Sequence, residues 1–287
     1  MNDKPFNIGI AGLGTVGTGV VQIIERNHPV IKEKIGRNIE IKAISARNRS
    51  KSRDINLNGY EWVDDVISLS SRDDLDCIVE VIGGTGNPSK ALVEQSIRAG
   101  KHLVTANKAL LAEHGHSLAK AAEKSKVALR FEAAVAGGIP IVKALMEGLA
   151  SNNIKKISGV MNGTCNYILS QMESSNGSYE HIFAKAQKLG YVEADPQLDV
   201  GGIDAAQKLA ILSSIAFHSE INFEDIEIEG IDQISLADIQ NAKAMGYRIK
   251  LLGTSELKNQ GLHQVVAPCL VPETSAVSKL EGGTNMI

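Results

Sequence analysis

An acid and a base stand one helical turn apart in the apolar stretch GGIDAAQKLAILSSIAFH, residues 201–218. Asp204 and Lys208 are the only charged residues between Ile203 and Phe217. As an exposed ion pair they would contribute only about 0.3–0.5 kcal/mol. In a mostly buried helix desolvation costs more than that, so a polar ligand at a cleft edge would explain the pair. We therefore predict a catalytic pair, with an exposed ion pair as the alternative.

The pair suits the reduction of a carbonyl group by hydride. Lysine side chains ordinarily carry a proton at neutral pH, so Lys208 can donate one to a developing alkoxide and stabilise its charge. Asp204, one turn earlier, can orient the ammonium. In the oxidative direction a neutral lysine must accept the proton, which predicts a rate that rises with pH.

A glycine-rich turn indicates the source of the hydride. Gly12, Gly14 and Gly17 form G-x-G-x-x-G between an apolar strand (6–11) and a helix (16 to about 26). Such glycines permit a tight turn, the approach of a pyrophosphate and close helix–strand packing. A purely structural glycine turn is the alternative. The predicted dinucleotide-binding residues of the turn are Gly12, Leu13, Gly14, Thr15, Val16 and Gly17.

The next strand, 39–45, bears on which dinucleotide binds. NAD sites usually place an acid at its end, against the ribose 2′-hydroxyl. Here it runs into Ser45-Ala46-Arg47-Asn48-Arg49, with no acid. Arg47 is predicted to receive a 2′-phosphate, so NADP is favoured and NAD stays open. The alternative is a solvated basic loop.

Strand and helix patterns alternate through the first half, which predicts an α/β fold with a Rossmann-type, doubly wound parallel sheet over residues 1–136. Residues 137–287 are predicted to form an α+β substrate-binding and dimerisation domain with a mainly antiparallel sheet. The predicted strands are 6–11, 39–45, 76–83, 102–107, 127–135, 154–161 and a hairpin from 247 to 271. The predicted helices include 91–100, one opening at Ile141 after Pro140, 178–190, 203–217 and 235–246, the last with Ser235 and Asp238 resembling an N-terminal cap.

Composition excludes several classes of protein. The 287 residues are 43% hydrophobic and 22% charged, with a net charge of −3, which gives no electrostatic argument for binding nucleic acid or an acidic membrane. The three cysteines lack metal-ligand spacing. There is no signal-peptide pattern and no membrane-length apolar run, so we expect a cytoplasmic protein.

Four further motifs bring a resemblance. They are TANKALLA (105–112), FEAAVAGGIPIV (131–142), NGTCNYIL (162–169) and GYVEADPQLDVGGIDAAQK (190–208). Together and in this order they closely resemble homoserine dehydrogenase. The resemblance implies NAD(P)-dependent interconversion of L-aspartate 4-semialdehyde and L-homoserine, in threonine, methionine and isoleucine biosynthesis.

The resemblance also assigns roles. Lys208 and Asp204 match the catalytic pair, and Lys108 matches a second lysine near cofactor and substrate. Which lysine transfers the proton is open from sequence; we favour Lys208, with Lys108 positioning substrate and cofactor. Glu193 matches the residue that holds the substrate ammonium. The other matching substrate contacts are Gly163, Thr164, Tyr191 and Asp199.

A monovalent-cation site, usually sodium held by main-chain carbonyls, is implied at Glu132, Val135, Gly137 and Ile139. A homodimer formed through the second sheet is implied as well. Family members normally continue past LEGGTNMI with a glycine-rich segment, a final helix and often a regulatory domain. We therefore expect a C-terminally shortened chain without threonine feedback through that domain.

Two alternatives to this assignment remain. One is an aldehyde dehydrogenase of the semialdehyde type, which would use a cysteine thiolate, with Cys165 in a promising turn. The other is a redox-sensing module or a catalytically incomplete dinucleotide-binding fragment.

Overall fold

The structure, a computed structural model, describes residues 4–192 and 195–287. The chain forms two compact units, residues 1–137 and 138–287. Within the described residues, no helix combines the length and the apolar character needed to span a bilayer.

The first unit is built on a six-stranded sheet in the order β3-β2-β1-β4-β5-β6. Every pairing in it is parallel. Dinucleotide-binding folds have this strand order, in which the strands are added to one side of β1 first and then, from β4 onward, to its other side. The strands are β1 (Phe6–Ala11), β2 (Ile39–Ser45), β3 (Glu61–Trp62), β4 (Cys77–Glu80), β5 (His102–Thr105) and β6 (Leu129–Arg130).

Helices cover both faces of this sheet, so its central strands β1 and β4 are almost wholly buried. One apolar cluster includes Leu69, Leu92 and Leu103, and a second includes Ile8, Ile10 and Val21. The helices are α1 (Thr15–Arg26), α2 (His28–Ile35), α3 (Ser89–Arg98) and α4 (Lys108–Ser125), with 3-10 turns at Val66–Ser71 and Glu132–Ala134. The predicted parallel, doubly wound sheet is confirmed.

The second unit contains a four-stranded sheet in the order β7-β9-β10-β8. The long hairpin predicted between 247 and 271 is confirmed, and only the short β8 pairs in parallel. The strands are β7 (Lys156–Gly159), β8 (Glu227–Ile228), β9 (Tyr247–Lys258) and β10 (Gly261–Pro272). The sheet is therefore mixed but mainly antiparallel, as predicted.

The helices of the second unit include the apolar helix that carries the charged pair. It spans Ile203–Phe217, as predicted. The predicted cap at Ser235 and Asp238 is a reciprocal capping box. The helices are α5 (Ile141–Lys143), α6 (Gly163–Ser175), α7 (Tyr179–Lys188), α8 (Pro196–Val200), α9 (Ile203–Phe217) and α10 (Leu236–Ala244).

Two predicted elements were wrong in part. The strand expected over 127–135 is only two residues long, because Phe131 leaves the extended region (φ −149, ψ 33) and a 3-10 turn follows. The helix after Pro140 does begin at Ile141, but it continues as a π-helix over Ala144–Gly148. There the Leu149 amide donates to the Ala144 carbonyl, one residue further back than in an α-helix.

Candidate functional site

The charged pair of α9 is a direct, largely buried contact. Lys208 Nζ lies 2.7 Å from Asp204 Oδ2, and the two side chains are 14% and 10% exposed. The alternative of an exposed surface pair is therefore wrong. An ion pair this far from solvent loses hydration at both ends, so further hydrogen bonds are needed to compensate.

Lys208 has a second hydrogen-bond partner, which lies just after strand β7. Its ammonium donates to the main-chain carbonyl of Met161 at 2.7 Å. An ammonium has three N–H donors. Among the described residues, Asp204 and Met161 occupy two of them. Within the part of the chain that the structure describes, the third donor is left for a further acceptor, and we expect this to be an oxygen atom of a ligand.

Asn162 connects the pair to a second carboxylate. Its amide nitrogen donates to Asp204 Oδ2 at 2.9 Å and to Asp199 Oδ1 at 3.0 Å. Its amide oxygen accepts from the Cys165 backbone N–H at 2.7 Å, which caps α6. Asn162 is 3% exposed. Sequence reasoning missed this role, since an asparagine before a helix indicates a cap and nothing more.

The first turn of α6 holds two predicted substrate contacts. Thr164 Oγ1 donates to the Tyr191 carbonyl at 2.8 Å. Tyr191 stacks on Tyr167 with ring centroids 4.3 Å apart. A methyl group on Gly163 would lie 2.5 Å from the carbonyl oxygen of Gly283, so only glycine fits there. The turn therefore brings Gly163, Thr164 and Tyr191 next to the Asn162 network.

Glu193, predicted to hold the substrate ammonium, lies outside the described residues. Asp199, by contrast, is buried in α8 and is bonded to Asn162. In the second unit, hydrogen bonds thus join Asp199, Asp204 and Lys208.

Cys165 does not have the properties of a nucleophile. It is fully buried, and its thiol donates to the Asp199 carbonyl at 3.2 Å. Burial raises the pKa of the thiol far above its usual range, and the carboxylates of Asp199 and Asp204 raise it further. Thioester chemistry needs a thiolate. The aldehyde-dehydrogenase alternative is therefore disfavoured.

In the first unit, the glycine turn has the geometry its sequence implies. Gly12 has a φ of +105, and a methyl group there would lie 2.6 Å from the Val81 carbonyl oxygen. A methyl group on Gly17 would overlap the Gly12 carbonyl oxygen, whereas Gly14 faces open space. Gly12 and Gly17 thus serve the turn, and Gly14 leaves room for a ligand. Thr15 and Val16 form the start of α1.

The turn borders a cavity of about 520 Å³. Of the predicted dinucleotide-binding residues, Gly12, Leu13, Gly14 and the exposed Arg47 line it, whereas Thr15, Val16 and Gly17 are not among its lining residues. Arg53 bridges the two loops, donating to the carbonyls of Leu13 (3.0 Å) and Asn48 (2.8 Å). Acids that sequence reasoning missed, Asp64 and Asp65, also border the cavity. The lining residues are Gly12, Leu13, Gly14, Ser45, Ala46, Arg47, Asn48, Lys51, Arg53, Asp64, Asp65, Val66, Val81, Ile82 and Pro88.

Lys108 is the first residue of α4, at the carboxyl edge of the same sheet. The preceding Asn107 caps the helix and donates to the Gly84 carbonyl at 2.8 Å. The buried Glu80 accepts from Thr105 Oγ1 at 2.6 Å, and this network fixes the edge. Lys108 and Lys208 belong to different units, so their cooperation stays a prediction.

The predicted cation ligands divide over both units. Glu132, Val135 and Gly137 belong to the first, and Ile139 belongs to the second. Ala136, which lies between two of these residues in the chain and is not itself a predicted ligand, has a left-handed backbone conformation (φ 46). Among the described residues, no group of three or more His, Cys, Asp or Glu side chains could hold a metal ion. That finding does not bear on carbonyl ligands, so the cation site stays a prediction.

Two family models match the chain. The model described as homoserine dehydrogenase matches residues 140–287, and the homoserine dehydrogenase NAD-binding domain matches residues 12–132. The chain belongs to the homoserine dehydrogenase family. The first match contains the Asp204–Lys208 network, and the second contains the glycine turn and its cavity.

Curated relatives agree over the whole length of the chain. The homoserine dehydrogenase of Neisseria gonorrhoeae is 44% identical over 284 residues, covering 99% of this chain and 65% of the relative. That of Bacillus subtilis is 38% identical with the same coverage. The chain thus spans about 65% of the length of these relatives.

Solved structures give the same result. The homoserine dehydrogenase of Thiobacillus denitrificans superposes with a TM-score of 0.95 at 42% identity, covering 98% of this chain and 65% of that one. The Staphylococcus aureus enzyme at pH 7.5 gives 0.85 at 40% identity, with 98% and 69% covered. The predicted fold and family are confirmed.

Proposed function

We propose that this chain contains the dinucleotide-binding and substrate-binding parts of a homoserine dehydrogenase, and that it interconverts L-aspartate 4-semialdehyde and L-homoserine with NAD(P). The single observation that carries the proposal is the buried network of Lys208, Asp204, Asn162 and Asp199. It presents one ammonium group, oriented by two fixed acceptors, in a chain of this family.

The proton transfer follows from that geometry. When bound, the nicotinamide supplies the hydride that reduces the aldehyde carbon. Asp204 and the Met161 carbonyl each accept one N–H of Lys208 and so fix the direction of the third. That third N–H donates to the aldehyde oxygen, which becomes the hydroxyl of L-homoserine. The positive charge also stabilises the developing alkoxide.

The reverse reaction needs a neutral Lys208 to accept the hydroxyl proton. The rate of L-homoserine oxidation should therefore rise with pH. Asn162 keeps Asp204 in place through this cycle, since its amide is bonded to both carboxylates.

The substrate's amino-acid end is assigned by the resemblance. Glu193 is proposed to hold the ammonium group, with Asp199, Gly163, Thr164 and Tyr191 around it. Supporting this proposal, Asp199 is bonded to Asn162, and Thr164 is bonded to Tyr191, so both are linked to the first turn of α6.

The cofactor is proposed to occupy the cavity at the glycine turn. Arg47 borders that cavity, as a receptor for a 2′-phosphate would, so we favour NADP over NAD. Asp64 and Asp65 also border the cavity, and their negative charges repel phosphate groups. The cavity therefore does not suit a ligand that consists of phosphate alone. Lys108, at the same edge of the sheet, is proposed to position substrate and cofactor.

Two further parts of the proposal rest mainly on the resemblance. The first is a monovalent cation at the carbonyls of Glu132, Val135, Gly137 and Ile139, where oxygen donors suit a hard cation. The second is a homodimer formed through the second sheet. Apolar side chains that sheet leaves exposed, such as Leu257 and Leu270, support it.

The test follows oxidation of NADPH and of NADH with L-aspartate 4-semialdehyde. The parent chain is compared with Lys208→Ala and with a control, Lys188→Ala, on the exposed face of α7. We expect turnover in the parent and the control, and its loss in Lys208→Ala. Dinucleotide binding without turnover in the parent would contradict the proposed activity and leave a dinucleotide-binding module.

A further inference from the structure

A buried lysine in the second unit has no role in the proton transfer. Lys250 lies in the middle of β9 and is only 2% exposed. Its ammonium donates to Asn166 Oδ1 at 2.8 Å, to Ser170 Oγ at 3.4 Å and to the Leu280 carbonyl. These acceptors are all uncharged. A buried ammonium without a hydrogen-bonded carboxylate is costly, so the contacts it makes need an explanation.

Asn166, which accepts from Lys250, binds a second carbonyl close to that of Leu280. It is 1% exposed, and its amide nitrogen donates to the Gly282 carbonyl at 2.9 Å. Lys250 and Asn166 therefore hold two carbonyls of one backbone segment, at positions 280 and 282. We call residues 280–283 the held segment.

The held segment packs on predicted substrate-binding residues. A methyl group on Gly163 would lie 2.5 Å from the Gly283 carbonyl oxygen. One on Gly283 would lie 3.3 Å from the Tyr191 ring. The held segment thus contacts the first turn of α6 and the ring that stacks on Tyr167. Beyond it, the Met286 amide donates to the Val160 carbonyl at 3.1 Å.

We propose that Lys250 is a positioning residue for the substrate site: with Asn166 it fixes the held segment against Gly163 and Tyr191. This inference rests on the proposed function. Lys250 touches no reacting group in this scheme; it acts through the backbone that it binds.

The protonation state of Lys250 is relevant near physiological pH. Burial and, to a lesser extent, the nearby Arg248 lower the pKa of Lys250, Glu173 and Glu281 oppose this, and the resulting pKa is about 8. A neutral amine has two N–H donors for three acceptors. In the parent, the KM for L-homoserine should therefore begin to rise as the pH passes the Lys250 pKa.

The kinetic test compares Lys250→Met with Lys258→Met, an exposed position at the end of the same strand. In Lys250→Met we expect the KM for L-homoserine to rise roughly 10- to 100-fold, because small displacements of binding groups are costly. The dinucleotide Kd should stay unchanged and kcat should change much less. The KM should also lose its rise with pH near the Lys250 pKa, which a purely structural role would not produce.

Asn166→Ala gives an independent arm. Since Asn166 and Lys250 hold the same segment, the double variant should raise KM by less than the product of the single effects. Single effects that multiply, or a KM in Lys250→Met equal to that of Lys258→Met, would overturn the proposal. If Lys250→Met does not fold, Asn166→Ala provides the same KM and Kd measurements.

Hydrogen exchange separates this inference from the proposed function. Lys250→Met should accelerate exchange of amides in 281–286 and leave those of α4 unchanged. Unchanged exchange in 281–286 overturns the positioning role. Absence of turnover in the parent contradicts the proposed function instead, and the exchange result still decides the role of Lys250.

Discussion

The two units build their sites from different material. In the first unit the site is mainly backbone: two glycines whose positions admit no side chain, a third facing open space, and a cavity beside them. In the second unit the site is a network of side chains on separate elements, with Asn162 at its centre.

The two sites differ in how far apart their residues lie in the sequence. The glycine turn is complete within six consecutive residues, so its spacing is visible in the sequence. The side-chain network joins residues 37, 42 and 47 positions apart, through Asn162–Asp199, Asn162–Asp204 and Lys208–Met161. Only the fold brings these groups together. A backbone site should therefore fail when a methyl group is added, and a network site when a donor is removed.

Variants of the two sites test this comparison, and the largest effect, on dinucleotide affinity, is expected at Gly17. Gly17→Ala places a methyl group on the Gly12 carbonyl oxygen, so the turn must shift. Overpacking of this kind costs about 1–3 kcal/mol or more, which predicts a loss of dinucleotide affinity of roughly 10- to 100-fold. Titration of each variant with NADPH measures it.

Gly19→Ala is the matched control, since it lies on the same helix with nothing within 4 Å of the added carbon. It should bind NADPH normally and gain about 0.5–1 kcal/mol of stability. Equal affinities for the two variants would mean that the turn does not depend on its glycine contacts.

A smaller effect is expected at Asn162. Asn162→Ala removes the donor shared by Asp199 and Asp204, and unsatisfied buried acceptors cost about 1–3 kcal/mol. We expect kcat to fall about tenfold. The dinucleotide Kd should be unchanged. Steady-state kinetics compared with Asn153→Ala, an exposed control, measures this. A change confined to the dinucleotide Kd would contradict the network's proposed role.

The smallest effect is expected at Arg47. Its loss should reduce the preference for NADPH over NADH about five- to tenfold, since a typical hydrogen bond contributes about 1–1.4 kcal/mol. Arg49→Ala is the control, because Arg49 lies over the Trp62 ring and is absent from the cavity lining. The ratio of kcat/KM values for the two cofactors measures the preference. An unchanged ratio in Arg47→Ala would assign the arginine to a solvated loop.

Much of the fold was predictable because its signals are local. Strands β1 and β2 and helix α9 have the predicted bounds, and the capping box at Ser235 was predicted from its pattern. The strand over 127–135 was overestimated, since an apolar run does not reveal where φ and ψ leave the extended region. The two-residue β3 and β8 were missed because they are too short for periodicity.

The candidate site was predictable in its charged pair and glycines and not in its supporting groups. Asp204 and Lys208 were conspicuous as charges in an apolar helix. Asn162 and the Met161 carbonyl were not, because neither a capping asparagine nor a main-chain oxygen has a distinctive residue pattern. Lys250 likewise lacks a sequence signal, since its partners Asn166 and Leu280 lie 84 and 30 positions away.

The most direct test of the central claim, that Lys208 transfers the proton, is single-turnover oxidation of bound NADPH by L-aspartate 4-semialdehyde in Lys208→Met. We predict a hydride-transfer rate lower than the parent's by about 10²- to 10⁴-fold, the usual contribution of a general acid. The NADPH affinity measured on the same preparation should be unchanged. A transfer rate equal to the parent's would contradict the claim.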